Sequence, residues 1–247
     1  MNDAVGGEAN LLPGMQLGLR AGVEQPLSPE HLWSARLMAH LCREREDRLV
    51  ADGAKQVDVQ VRSFAMAAIV SSVAMLEARV NELWADAALT VADGNKRHRI
   101  DGLSDEAIAL ISTLHQTDSL ERSLKTLDKF DVALRCARKP EFDKQRYPYQ
   151  AVEPLIRLRN ALVHYKLEIQ WIDEVDQVER RLKHLVPHNP LAAPDARPWF
   201  TIQVLCAGVA EWAWQAAKAF VDEWQTQLGL TQTTYLDLDV PLPEKSS

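Results

Sequence analysis

The sequence predicts an all-α fold, a helical bundle of five to seven helices with an added long C-terminal helix. Apolar residues recur at intervals of three and four along several long segments, which is the spacing of one helix face. Ala, Leu, Glu, Gln and Arg, which favour helices, are abundant. No segment shows the strict apolar–polar alternation that is typical of a half-buried strand. With 47% hydrophobic residues in 247, the chain can also bury a sizeable core.

The first half of the chain divides at glycines and polar turns. Residues 1–27 contain five glycines and two prolines, which predicts an irregular N-terminal arm. Ser28-Pro29 then predicts the start of a helix, with the serine as its N-cap and the proline at the first helical position. The helices predicted for this half span residues 28 to about 50, about 57 to 89, 104 to about 115, and 118 or 119 to about 138.

Prolines divide the second half. The segment 140–148 is predicted to be irregular, and the segment 187–198 contains four prolines and is predicted to be a loop. The helices predicted between and after these segments span about 150–167, 173–185 and 201–228. The domain organisation that follows is an arm over 1–27, one all-α domain over 28–229 and a polar tail over 230–247.

The net charge of -7 argues against a protein that coats nucleic acid over its whole surface. Charge is nevertheless uneven along the chain. The segment from residue 135 to residue 166 contains eight basic and three acidic residues, an excess of five positive charges. The basic residues are Arg135, Arg138, Lys139, Lys144, Arg146, Arg157, Arg159 and Lys166. The sequence therefore predicts a local basic site in an acidic protein.

Other patterns exclude several classes of protein. The three cysteines are widely spaced and form no C-x-x-C pair, so we expect a reducing compartment, the cytoplasm, and neither a disulfide framework nor a zinc site. The longest uncharged apolar-rich run, Phe64–Leu76, is too short to span a bilayer, so no membrane association is expected. Nucleotide-binding and metalloprotease motifs do not occur, and no cofactor or metal is expected.

The segment 155–166, LIRLRNALVHYK, carries the residues with a coherent chemistry. Helical spacing assigns a stripe of apolar residues to the core, namely Leu155, Leu158, Leu162 and Tyr165. A second stripe is polar and contains Glu153, Arg157, Asn160 and His164. Arg159 lies about 140° around the helix from His164, so geometry alone keeps Arg157 as a rival for any role that Arg159 has.

A histidine can move a proton near neutral pH, and an arginine can hold a phosphate oxygen by two hydrogen bonds. Together they are sufficient to cleave RNA without a metal. The segment Arg159-Asn160-Ala161-Leu162-Val163-His164 resembles the signature of HEPN domains, which are small all-α domains of many bacterial toxins, CRISPR effectors and RNA-processing enzymes. Their motif is an Arg, often followed by Asn, with four to six residues before a His. The resemblance covers this motif and, more loosely, residues 57–185.

The resemblance implies a metal-independent endoribonuclease, of a bacterial defence or toxin–antitoxin system, with RNA as substrate and an antitoxin or regulatory protein as a partner. Two copies would pair as a homodimer, so that two motifs share one cleft. His164 would be the general base or acid, Arg159 would stabilise charge on the phosphorane, and Asn160 would orient His164 or bind phosphate. Some HEPN toxins carry a tyrosine two residues after the histidine; here Lys166 stands there, so that mode of regulation is not carried over.

Further residues are candidates for binding RNA or a nucleotide. Arg157 and Lys166 flank the motif within the basic stretch. Glu77 and Asn81 are one turn apart on the second predicted helix and would line the site beside Arg159, unless they face solvent or make ordinary interhelical hydrogen bonds. Two other functions stay open: a non-catalytic HEPN-like module that binds nucleotide, RNA or protein, and a helical interaction protein without a site.

Overall fold

The computed structural model describes residues 25–117, 123–165, 177–231 and 240–243. All regular secondary structure in these ranges is helical, and they contain no strand. The prediction of an all-α fold is therefore confirmed for this part of the chain. The predicted N-terminal arm, apart from its last three residues, and most of the predicted C-terminal tail lie outside the described residues.

The described residues form eight α-helices and one 3₁₀ turn, His98–Ile100, between the second and third helices. The helices are α1 Ser28–Ala51, α2 Val59–Asp93, α3 Asp105–His115, α4 Thr126–Cys136, α5 Tyr149–Val163, α6 Gln177–Leu182, α7 Trp199–Gln203 and α8 Ala207–Leu228. The predicted bounds of α1, α2 and α3 agree with these to within about four residues, because local start and stop signals mark them. One such signal is Ser104, whose hydroxyl accepts a hydrogen bond from the N–H of Ala107 and caps α3.

The centre of the fold is α2, a helix of 35 residues that packs against α1, α3, α4, α5 and α8. It begins at Asp58, whose carboxylate accepts hydrogen bonds from two backbone N–H groups of the first turn, and it ends at Gly94 in the left-handed conformation. Many of its apolar side chains, among them Ile69, Leu76 and Trp84, are completely buried. This helix therefore positions the elements that carry the candidate site.

By length and composition alone, α2 could also cross a membrane, since an 18-residue window reaches a mean hydropathy of 1.6. In the structure it contacts five other helices and buries two charged side chains, Arg79 and Asp86. A core helix of a soluble bundle has the same composition, because it is apolar on several faces. The contacts of α2 are those of a helix that packs inside a helical bundle.

Ion pairs and hydrogen bonds from α2 fix its neighbours. The guanidinium of Arg99 forms a buried two-bond pair with the Asp86 carboxylate, with Nε 2.8 Å from Oδ2, and this ties the 3₁₀ turn to α2. One turn earlier on α2, Glu82 accepts hydrogen bonds from the backbone N–H groups of Leu27 and Ser28 and from the Ser28 hydroxyl. The prediction that Ser28 caps α1 is thus wrong. Ser28 is the first helical residue, and its side chain binds α2 instead.

Two predicted helices are interrupted. Within the predicted helix 118–138, Lys125 is extended, with φ -69° and ψ 157°, and α4 begins only at Thr126. The predicted helix 201–228 is divided into α7 and α8 at Cys206, which is also extended. The buried carboxylate of Glu46 on α1 accepts a hydrogen bond from the N–H of Ala207 at 2.9 Å. Glu46 thus binds the first N–H group of α8 from a distant part of the chain. Apolar periodicity in the sequence does not reveal such a partner.

Candidate functional site

The motif lies on α5, which packs one side against α2 and α8. That side carries three completely buried residues, Val152, Leu155 and Leu158. The two leucines belong to the predicted core stripe. The opposite side carries Arg157 and Asn160, which are exposed. Up to Val163, the buried and the exposed side chains of α5 therefore follow the two stripes that the helical spacing predicts.

The helix is shorter than predicted, and this changes the position of the histidine. It ends at Val163, and His164 is the C-cap residue, with φ -104° and ψ 34°. The prediction that Tyr165 belongs to the core stripe is wrong, because the chain has left the helix and the tyrosine is 51% exposed. Its ring stacks on Phe200 instead, with 6.4 Å between the ring centroids. Lys166, a predicted binding residue, lies outside the described residues.

His164 and Asn160 still lie one turn apart. The backbone N–H of His164 donates to the carbonyl oxygen of Asn160 at 2.9 Å, which is the last helical hydrogen bond of α5. Both side chains are exposed. Within the ranges that the structure describes, the imidazole of His164 makes no hydrogen bond.

Arg159 is directed towards α2. One of its terminal nitrogens, Nη2, donates to Oε1 of Glu77, and the same oxygen accepts from the Thr126 hydroxyl of α4 at 3.3 Å. The arginine side chain is only 19% exposed. Its Nε is buried and has no hydrogen-bond partner among the described residues. Glu77 thus lies directly against Arg159 and joins α2, α4 and α5 at this point.

Asn81, the other candidate residue on α2, has a different contact. The Asn81 side chain is exposed, and its oxygen accepts a hydrogen bond from Nζ of Lys129 on α4 at 2.8 Å. Asn81 therefore makes an interhelical hydrogen bond of the ordinary kind. Among the described residues, no hydrogen bond or ion pair links Asn81 to Arg159, or the guanidinium of Arg159 to the imidazole of His164.

The basic stretch is largely neutralised by ion pairs. Six of its eight basic residues lie within 4 Å of a carboxylate, and three of these carboxylates come from outside the stretch. The pairs are Arg135–Glu141, Arg138–Glu106, Lys144–Asp131, Arg146–Asp143, Arg157–Glu153 and Arg159–Glu77. Three acidic residues from elsewhere in the fold thus reduce the excess of five positive charges in this stretch to two.

Two grooves flank the exposed side of α5, and Arg157 and Asn160 line both. The α5–α6 groove has a volume of about 310 Å³ and is lined by Pro154, Arg157, Leu158, Asn160, Val178, Arg181 and Leu182. The α4–α5 groove has a volume of about 350 Å³ and is lined by Lys125, Thr126, Leu127, Asp128, Tyr149, Glu153, Ile156, Arg157 and Asn160. Burial raises the pKa of Tyr149 to about 12, so its phenol stays protonated at neutral pH. Each groove also receives a cation from a neighbouring element, Arg181 or Lys125.

Sequence reasoning did not assign Arg181, Lys125 or Thr126 to this site. In the sequence, Arg181 begins a second segment that fits the spacing of the motif, with six residues between it and His188. That match enters a proline-containing loop after α6 in the structure. Periodicity places a residue on a face of its own helix, but it does not say which helix that face meets.

No group of three or more His, Cys, Asp or Glu side chains in the described ranges is arranged to hold a metal ion. No protein-family model, no curated protein and no solved structure matches this chain. The resemblance to HEPN domains therefore rests on the sequence motif alone.

Proposed function

We propose that this protein is a metal-independent endoribonuclease of the HEPN type, which cuts RNA at a cleft between two copies of the chain. The observation that carries the proposal is the end of α5. There, Asn160 and His164 are exposed one turn apart, and Arg159, adjacent to Asn160 in the chain, is held by Glu77 of α2.

The chemistry is attack of a ribose 2′-OH on the neighbouring phosphorus atom, with loss of the 5′ oxygen. The products are a 2′,3′-cyclic phosphate and a 5′-OH. His164 would take the proton from the 2′-OH or give one to the leaving oxygen, and an exposed imidazole suits either role. Asn160 would orient His164 or bind the phosphate. DNA lacks the 2′-OH and should not be cut.

Arg159 would stabilise the charge that develops on the phosphorane oxygens. An arginine has five N–H donors in a planar fork. The Glu77 contact uses Nη2 and fixes the orientation of the guanidinium, and it leaves Nη1 for a phosphate oxygen. Glu77 is in this proposal a positioning residue, because it acts on the substrate only through Arg159.

A homodimer follows from the same chemistry. The reaction needs one group that removes a proton and another that supplies one, and each chain brings one motif histidine. Two copies of His164 in a shared cleft would provide both. A partner that covered this cleft, such as an antitoxin or regulatory protein, would block the reaction.

One observation favours a second function, a non-catalytic HEPN-like module that binds nucleotide, RNA or protein. Six of the eight basic residues of the stretch are already paired with carboxylates. RNA that contacts them must displace these pairs, which weakens nonspecific attraction to the backbone.

The test is cleavage of single-stranded RNA in the presence of a chelator by the wild type and by His164→Ala. We expect the variant to lose about 10²- to 10⁴-fold in rate, which is the usual contribution of general acid–base catalysis. His188→Ala, which removes an exposed histidine from the loop beside α1 and α8, is the matched control and should cleave normally. An RNA with a single 2′-deoxy nucleotide at the cleavage position should resist.

Equal cleavage by wild type and His164→Ala, or cleavage only with added metal, would contradict the proposal of a metal-independent nuclease that uses His164. RNA or nucleotide binding that depends on Arg159 without any cleavage would instead support the non-catalytic module.

A further inference from the structure

One oxygen atom of Glu153 lies between two arginines from different helices. Glu153 Oε1 is 2.7 Å from Nη2 and 3.1 Å from Nε of Arg157, one turn further along α5. It is also 3.9 Å from Nη1 of Arg181 on α6. Two guanidinium groups that converge on one oxygen define a position for an anion, and in the isolated chain a carboxylate occupies it.

The same two arginines line the α5–α6 groove. The bottom of this groove is apolar, because Leu158 and Leu182 are buried there and Val178 is half-buried. Its volume of about 310 Å³ is at the lower end of the range for small-ligand pockets, which is about 300–1,000 Å³. An apolar floor with two guanidinium groups at the rim fits the two parts of a nucleotide, a flat base and a phosphate.

Asn160 connects this groove with the proposed reaction centre. Its side chain lines the groove, and it lies one helical turn from His164. A strand whose phosphate is attacked beside His164 would therefore place an adjacent nucleotide in the groove.

We propose that the α5–α6 groove binds one nucleotide of the RNA strand next to the cleaved bond, with Arg157 and Arg181 holding its phosphate in the place of the Glu153 carboxylate. This inference rests on the proposed function and adds Arg181 to the site. It also gives Glu153 a role, since this carboxylate competes with the RNA phosphate.

Displacement of the Glu153 carboxylate by a phosphate costs little free energy, because the internal ion pairs are exposed. The side chains of Arg157, Glu153 and Arg181 are 53%, 44% and 50% exposed, and exposed pairs contribute little to stability. A phosphodiester offers two non-bridging oxygens to the two guanidinium groups, and such bonds are short and charge-assisted. In this proposal Arg157 binds the phosphate of the adjacent nucleotide, whereas Arg159 stabilises charge on the reacting phosphate.

The experiment measures binding of a fluorescent single-stranded RNA by anisotropy, in chelator and over a range of salt concentrations. All proteins carry His164→Ala, so that cleavage does not interfere. Arg181→Gln is compared with Arg146→Gln, which removes another exposed arginine with a carboxylate at 3.7 Å. Glu153→Gln is compared with Glu141→Gln, which removes a carboxylate of similar exposure, 42%, that is also paired with an arginine.

We expect Arg181→Gln to weaken RNA binding about fivefold and to reduce the slope of log K against log salt by about 0.7, the value for one phosphate contact on a single strand. Glu153→Gln should strengthen binding about fivefold, because the competing carboxylate is gone. Both control variants should change affinity by less than about twofold, since they alter only the net charge.

The outcomes separate this inference from the nuclease. If His164→Ala abolishes cleavage but Arg181→Gln binds RNA as Arg146→Gln does, the nuclease stands and the groove proposal is wrong. If no cleavage occurs and the Arg181 and Glu153 effects exceed their controls, the groove proposal stands without the reaction. Adenosine 5′-monophosphate is the second probe: binding of this nucleotide without binding of RNA, or no binding of either, would overturn the assignment to an RNA strand.

Discussion

The pair between Asp86 of α2 and Arg99 of the 3₁₀ turn gives the strongest prediction about stability. The two side chains are 1% and 9% exposed and are joined by two hydrogen bonds. Arg99→Met keeps most of the side-chain volume and removes the positive charge. It leaves the Asp86 carboxylate buried beside an apolar group, which costs about 3–5 kcal/mol in the free energy of unfolding.

A second arginine–carboxylate pair provides the comparison. Arg157 and Glu153 also make two hydrogen bonds, but both side chains are about half exposed. An exposed pair one helical turn apart contributes about 0.3–0.5 kcal/mol. The same substitution, Arg157→Met, should therefore cost roughly a tenth of the free energy that Arg99→Met costs. Burial, and not the hydrogen-bond geometry, decides the difference.

The assay is reversible urea and thermal unfolding of the wild type and of both methionine variants. For a chain of this size 1 kcal/mol shifts Tm by about 2–4 °C, so Arg99→Met should lower Tm by about 6–20 °C. The double variant Asp86→Leu/Arg99→Met should recover most of the loss, because the buried carboxylate is then removed together with the guanidinium. Equal effects of Arg99→Met and Arg157→Met, or no recovery in the double variant, would refute the reasoning.

Two further predictions concern a buried carboxyl and a glycine. Burial raises the pKa of Glu46 above its ordinary value of 4.5, although the hydrogen bond from the N–H of Ala207 acts in the opposite direction. The protonated carboxyl therefore stabilises the folded state fully below pH 4.5. This stabilisation is lost as the pH rises through the raised pKa. The stability of the wild type relative to Glu46→Gln, measured by urea unfolding at a series of pH values, should therefore fall as the pH rises from 4.5, and a rise would contradict the burial argument. Gly102 has φ +104°, and a Cβ there would lie 1.9 Å from the carbonyl oxygen of Gly229. In the same assay, Gly102→Ala should lower the free energy of unfolding by at least about 3 kcal/mol. The control Gly53→Ala, whose added Cβ meets nothing within 4 Å, should lower it by about 1 kcal/mol. Similar losses for the two variants would show that the contact with Gly229 is not decisive.

The sequence predicted those parts of the fold that short-range signals specify. A glycine break and the apolar periodicity identify α1 and α2, and the Ser104 cap identifies the start of α3. The relation between Asn160 and His164 is of the same kind, because two residues four positions apart lie one turn apart whatever surrounds the helix. It is kept even though α5 ends one residue before His164.

Features that depend on distant residues were not predictable in this way. The interruption before α8 needs the Glu46 carboxylate of α1, which is 161 residues away from Ala207 in the chain. The charge of the basic stretch was counted correctly, but half of the carboxylates that neutralise it lie elsewhere in the sequence. A count of charges along the chain does not include partners that only folding brings near.

The candidate site divides along the same line. The sequence by itself determined that the described part of the chain is helical and that one helix, with the C-cap residue that ends it, carries an arginine, an asparagine and a histidine in a defined order. Only the tertiary structure decided that Arg159 is turned towards Glu77, 82 residues away, and that Arg181 meets Glu153 beside Arg157. The reason is physical: helical spacing fixes angles around one axis, whereas the packing of one helix on another selects the partner of each side chain.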